Sequence, residues 1–363
     1  MNRVFVLLLV MFAAFLMLTG CDREIKGNVV DTDNTNENCF ECHNGLLDQA
    51  QGEWANSIHA SGNTVDYTNR GGSDCTKCHD QEGYISFLAT GELPDVPFEN
   101  VSAIGCFTCH DPHGNGDMSI RFVGAYTLEN GDVFDHGNGN QCASCHHSRM
   151  SADDIVDNTT VNSRYGPHHG PQGDLINGSN GYEFPGEGYS FATSPHALVV
   201  DNACIGCHMG DPSTHIGYKI GGHSFNMVDE ESGEDLHALC ADASCHGTAA
   251  DEFDFTADAD YDHDGTIEGY QTEIEGMMDS LIVLLQGQGI LNGTGGTVSG
   301  TYADGHLVGA LYNLRYIEED RSEGIHNFNY ARTLLEASID YVSGLPAKSG
   351  VIAGNDAALI VNH

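Results

Sequence analysis

The stretch CASCH, residues 142–146, sets two thiols three positions apart and follows the second at once with an imidazole. The same pattern returns as CFECH (Cys39–His43), CTKCH (Cys75–His79), CFTCH (Cys106–His110) and CIGCH (Cys204–His208). For a chain of 363 residues with 13 Cys and 20 His, random placement gives about 0.03 matches to it. Five copies therefore reflect one chemical requirement met repeatedly. Zinc sites gather cysteines or histidines around one ion and need no His after every Cys pair. Redox Cys-x-x-Cys pairs need no trailing His either.

Cys-x-x-Cys-His is the attachment pattern of c-type haem. Two thiols add to the two vinyl groups on one edge of the porphyrin, and the adjacent His turns back beneath the ring to bind iron. The thiol pairs are Cys39 with Cys42, Cys75 with Cys78, Cys106 with Cys109, Cys142 with Cys145 and Cys204 with Cys207. The proximal ligands are then His43, His79, His110, His146 and His208. ALCADASCHGT, residues 239–249, is a further case: Cys240 and Cys245 stand with four residues between them, and His246 closes the stretch. One cysteine at the end of an export segment, ten in five motifs and these two account for all 13. A stretched motif, with a longer loop between the same two thioether bonds, makes Cys240, Cys245 and His246 a sixth site. The competing reading is a disulfide closing a very small loop. Six covalently bound haem c groups are expected.

With these motifs the chain resembles the multihaem c-type cytochromes of anaerobic respiratory bacteria. WANSIHA (His59, expected in a helix), CHDPHG (His113), GPHHGPQ (His168, His169), SPHALVV (His196), HIGYKIGGHSF (His215, His223) and GIHNFNYARTLLEAS (His326) resemble distal-ligand segments. Such segments occur in the nitrite-reductase and hydroxylamine-oxidoreductase superfamily and its electron-carrying relatives. The resemblance implies a mainly α fold with extensive irregular loops, organised around stacked haems, with C-terminal helices packing on the haem domain. It makes these eight histidines the candidates for the sixth coordination positions. His136, His147, His237, His263, His306 and His363 are reserves. A second His on each iron gives a low-spin centre that moves electrons; an empty position makes a catalyst. Ammonia-forming nitrite reductases usually end one motif in Lys, and none of Lys26, Lys77, Lys219 and Lys348 ends a motif here. The expected function is electron transfer along mostly bis-His haems in anaerobic respiration at the cell envelope. The alternatives are a terminal reductase acting on nitrite or hydroxylamine, and a subunit of an extracellular cytochrome filament.

The N-terminus carries Arg3 and then an apolar run, Val4 to Leu18, shorter than the about 20 residues of a membrane-spanning helix. It fits the apolar region of an export signal over residues 1–20. LTGC (Leu18–Cys21) resembles a bacterial lipobox, which implies cleavage before Cys21 and lipidation of its thiol. The other reading is an uncleaved anchor helix. Both place the mature chain outside the cytoplasm, membrane-anchored, on the periplasmic or outer-membrane face. Residues 21–38 read as a lipidated, flexible tether. A hexahaem domain follows at 39–246, then a C-terminal region at 247–363. The net charge of −40, with 13 Lys and Arg, excludes nucleic acid as a partner. Other redox proteins of a respiratory chain are the expected partners.

DADYDHDGTIEGYQTEIE, residues 258–275, spaces Asp260, Asp262, Asp264 and Gly265 as positions 1, 3, 5 and 6 of a calcium loop. Thr266 would give its carbonyl and Glu268 falls at position 9. Gln271 occupies position 12 in place of the bidentate Glu, with Glu273 or Glu275 as substitutes. The competing reading is an acidic turn capping the next helix. That helix carries Ile274, Met277, Met278, Leu281, Ile282 and Leu285 at helical spacing. A second is expected near 303–319, with Leu307, Ala310, Leu311 and Leu314 on one stripe. A third begins near Asn327 or Asn329, carries Leu334, Leu335, Ile339 and Val342, and ends near Gly344.

Overall fold

The computed structural model of the chain describes residues 47–61, 73–93, 98, 100–186, 189, 193–211, 217–241, 245–247 and 252–346. All of these belong to one unit, His43–His363. The export segment, Cys21, the tether, the first motif (Cys39, Cys42, His43), His215 and His363 lie outside the described residues.

The described part is mainly helical, with long irregular connections and three two-stranded antiparallel sheets. Up to residue 247 the helices are short, because each motif needs little more than one turn. They include Ser73–His79, Cys106–Cys109, Asn140–Ala143 and Cys204–His208. Helix Ser73–His79 packs on helix Gln81–Thr90 at Gly83, where a Cβ would lie 2.5 Å from the Thr76 carbonyl oxygen. Any other residue there would push the motif helix away. The buried Asp80 caps the second helix by accepting from the Gly83 amide at 2.5 Å. Trp54 ties helix Asp48–Ala55 to the chain before the Cys106 motif by donating to the Ile104 carbonyl at 2.9 Å.

The aliphatic core sits chiefly among three long helices, Tyr270–Gly287, Gly305–Asp320 and Phe328–Ser343. Ile274, Met277, Leu281 and Leu285 are buried on the first, and Leu307, Ala310, Leu311 and Leu314 on the second. Leu334, Leu335 and Val342 are buried on the third, whereas Met278, Ile282 and Ile339 are only partly covered. Each buried aliphatic side chain contributes about 1.5–3 kcal/mol of transfer free energy. Asn327 caps the third helix, its side-chain oxygen accepting from the Tyr330 amide, and Asp304 caps the second through the Leu307 amide. The same core takes in Ile155, Val161, Leu175 and Phe184 from the motif-bearing region. Thr159–Val161 also pairs in antiparallel register with Gly300–Tyr302. A second, smaller cluster gathers Leu128, Phe134, Ala143, Ile176 and Ala203.

Candidate haem-ligand sites

The motif works through a single local bond. In CASCH and CFTCH the first cysteine's carbonyl accepts from the amide of the closing histidine, at 2.8 Å for Cys142–His146 and 2.9 Å for Cys106–His110. That bond closes one turn of backbone over the two cysteines and the histidine. In the stretched motif the His246 amide donates to the Cys240 carbonyl at 3.2 Å. The two added residues leave that closing bond in place. None of the ten described cysteines is in a disulfide: Cys75 and Cys78, Cys106 and Cys109, Cys142 and Cys145, Cys204 and Cys207, and Cys240 and Cys245. Burial pushes the Cys109 thiol up to about 11 and raises the Cys207 thiol as well. Neither behaves as a reactive surface thiolate.

Each of the five described proximal histidines faces one other imidazole. The ring centroids stand 6.2 Å apart for His79 and His168, 6.3 Å for His110 and His223, and 6.1 Å for His146 and His59. They stand 6.1 Å apart for His208 and His326, and 6.0 Å for His246 and His196. Two imidazoles ligating one first-row metal from opposite sides, each through a nitrogen about 2 Å away, separate their ring centres by about 6 Å. The five pairs therefore have the spacing of an axial ligand pair, and each belongs to a motif with two thiols. This donor set fits haem c.

Second contacts fix the tautomers. His110 donates through Nδ1 to the Met118 carbonyl at 2.7 Å, His208 to the Phe225 carbonyl at 2.9 Å and His196 to the Ile325 carbonyl at 3.0 Å. His146 donates to Gln172 Oε1 at 3.2 Å. Two rings meet carboxylates: His326 Nδ1 lies 2.7 Å from Asp320 Oδ1, and His223 Nδ1 3.3 Å from Glu53 Oε2. In each case Nε2 is left with its lone pair, as metal ligation requires. Burial pushes His59 down to about 4, so that ring is neutral at pH 7; partial burial and then the Arg149 and His169 charges push the exposed His168 down as well. Burial opposes charge on His326 too, but the Asp320 carboxylate outweighs it and holds that ring above its ordinary value.

His59 lies not in a longer helix, as the sequence predicts, but in the short 3-10 turn Ile58–Ala60. Ser57 breaks the preceding helix, and its hydroxyl accepts from the Ala60 amide. His113 and His169 face none of the described proximal rings. His113 is exposed against Phe107, and His169 pairs with Glu319 on the surface. Among the reserves, His147 is buried in a network with Tyr126 and Lys77. His306 packs on Tyr182, Phe184 and Tyr341 in the C-terminal core, and His136 on Phe134. His237 pairs with Asp235, and His263 sits in the acidic loop with a left-handed backbone.

In that loop, Gln271 turns outward to the Ser322 carbonyl and Glu323, and takes no part in the carboxylate cluster. Glu273 turns inward and is fully buried. Its Oε2 accepts from the Tyr261 and Asp262 amides at 2.6 and 3.1 Å, and its Oε1 from the Glu268 amide at 3.1 Å. Position 12 fails because the helix starts at Tyr270, which places Glu273 on its inner face. Oxygens of Asp260, Asp262 and Glu273 come within 4.8 Å of one another, as do those of Asp262, Asp264 and Glu268. Thr266 contributes only a backbone contact to Asp264. Burial and then the neighbouring carboxylates push Asp262 up. Among the described residues, Asp260 Oδ1 and Glu268 Oε2 are buried without a hydrogen-bond partner.

All ten facing histidines are legible in the sequence as residues of motifs or phrases, whereas their second contacts are not. Glu53, Asp320, Gln172 and Phe225 carry no motif, and only their position against the imidazoles marks them.

No protein-family model matches the chain. It is 21% identical over 458 aligned positions to the C-type polyheme cytochrome OmcB of two strains of Geobacter sulfurreducens. The alignment covers 93% of this chain and 59% of those relatives, so the chain spans about three fifths of their length. Among solved structures it is similar to the outer cell wall cytochrome OcwA, with a TM-score of 0.49 and 21% identity, over 81% of this chain and 50% of that one. No helix among the described residues is long and apolar enough to cross a membrane. The attachment motifs, the facing imidazoles and the homology to a polyheme cytochrome together support a multihaem c-type cytochrome.

Proposed function

We propose that the chain holds six covalently attached haem c groups and passes electrons along them at the cell envelope. The observation that carries this reading is the facing imidazole at every described motif. Haem iron, when bound, cycles between ferric and ferrous states and so carries one electron at a time. The chain's own part is to fasten each group by two thiols and to supply two imidazoles. It also fixes six of the rings through their Nδ1 contacts. The stretched site takes part through Cys240, Cys245, His246 and His196.

The facing imidazole at each of the five described sites supports a second ligand there and argues against an open catalytic face. A reductase of small nitrogen oxides would have to use the first motif, Cys39–His43. The kinship with the nitrite-reductase superfamily stays a proposal resting on the distal-ligand phrases and the long C-terminal helices. Lipidation at Cys21 and anchorage outside the cytoplasm rest on the N-terminal sequence. The acidic surface suits basic redox partners. The Asp260–Glu273 loop is read as a calcium site that braces the C-terminal helices.

The test is electron paramagnetic resonance of the oxidised, haem-loaded protein. Low-spin signals from at least five haems support the carrier. High-spin signals from several haems would overturn it.

A further inference from the structure

Three of the sites meet at one residue. The Phe225 ring packs on His59 at 5.1 Å and on His223 at 6.2 Å, and its carbonyl accepts from His208 Nδ1 at 2.9 Å. Phe225 therefore touches a ligand of the Cys142–His146 site, one of the Cys106–His110 site and one of the Cys204–His208 site. Its backbone is left-handed, φ +59°, a conformation that a bulky side chain holds only when its surroundings impose it.

The three sites differ in what lies behind their imidazoles. At the Cys204 site, His326 donates to the buried Asp320, which is also held by the Ser322 hydroxyl. At the Cys106 site, His223 faces the buried Glu53, which accepts from the ring and from the His223 amide at 2.9 Å. Gly222 makes this approach possible: it adopts φ +51°, and a Cβ there would lie 2.3 Å from Glu53 Oε2. At the Cys142 site the partner of His146 is the neutral amide of Gln172. The same Gln172 donates to the Asp320 carbonyl at 3.1 Å, so the second contacts of two sites are physically linked.

A carboxylate accepting the Nδ1 proton gives the imidazole anionic character. That strengthens its donation to iron and favours the ferric state, which lowers the potential. A neutral amide does so far less. Building on the haem reading above, we propose that Asp320 and Glu53 are tuning residues. They hold the Cys204–His208 and Cys106–His110 centres at lower potential than the Cys142–His146 centre, where electrons collect.

The test is a spectroelectrochemical titration of the haem-loaded full chain, with electron paramagnetic resonance of the oxidised form. Asp320→Asn should move one centre to higher potential and alter one low-spin signal. Glu53→Gln should do the same to a different centre, and it guards against misfolding of the first variant. Asp340→Asn, which removes an exposed charge from the third long helix, should leave both readouts unchanged. Titration curves of both site variants that superimpose on the parent, or a uniform shift of all centres, would overturn the proposal. Haem content from intact mass separates the two levels. Loss of the haem reading itself would appear as a protein without bound haem, whereas full loading with unmoved potentials defeats only the tuning.

Discussion

His168 faces His79 across 6.2 Å, while its neighbour His169 pairs with Glu319. The two adjacent imidazoles are equivalent in sequence and lie 4.9 Å apart, tilted by 43°, yet they meet different partners. His168 has φ +68°, a left-handed backbone at the point where the two partners diverge. His168→Ala should therefore convert one haem from low to high spin, whereas His169→Ala should leave every low-spin signal intact. Electron paramagnetic resonance of the two oxidised variants checks the assignment. A spin change in His169→Ala alone would reverse it.

The stretched motif predicts a haem count. Replacing Cys240 and Cys245 together by Ala should lower the intact mass by one haem and leave the other five attached. An unchanged mass would show that these thiols hold no haem.

The acidic loop predicts calcium-dependent stability. Calcium at 100 times its dissociation constant should stabilise the fold by about 2.7 kcal/mol, seen as a rise in melting temperature that a chelator reverses. Asp262→Asn and Glu273→Gln should remove the rise, because both residues point into the cluster. Gln271→Ala should keep it.

Leu311 is fully buried among the three long helices. Leu311→Ala leaves a cavity there and should cost about 3 kcal/mol. Chemical denaturation should show the loss, and the haem absorption of the folded protein should not change. A change in haem ligation would mean that the helical core also positions the ligands directly.

Asp174 is fully buried, and burial pushes it up to about 6 despite bonds from the Ser148 amide at 2.6 Å and Asn180 at 2.9 Å. The folded chain thus binds this proton more tightly than the unfolded one. Its contribution is greatest below the ordinary value of 3.8 and is lost as pH rises through about 6. Asp174→Asn, which does not titrate, should be less stable than the parent at pH 4. The gap should narrow by at most about 3 kcal/mol by pH 7. Denaturation midpoints across that range check the sign; a gap that widens with pH refutes it.

Much of this protein was legible along the chain. The attachment motifs are local, since one turn of backbone brings two thiols and an imidazole together, so Cys142, Cys145 and His146 announce themselves. The helical stripes were legible for the same reason: Leu307, Leu311 and Leu314 recur at the period of one helix. The loop was partly legible. Its aspartates keep their spacing, but which acid closes it depended on where helix Tyr270–Gly287 begins.

By itself the sequence determined what is bonded locally: which cysteines and histidines form motifs, and which residues line each helix. Only the tertiary structure decided which distant imidazole faces which motif, as in His59 with His146 or His326 with His208. It also decided which of those rings rests on a carboxylate. The physical reason is range. A motif is closed by one backbone bond within a few residues, whereas a ligand pair and its second contact join segments that meet only after the chain has packed.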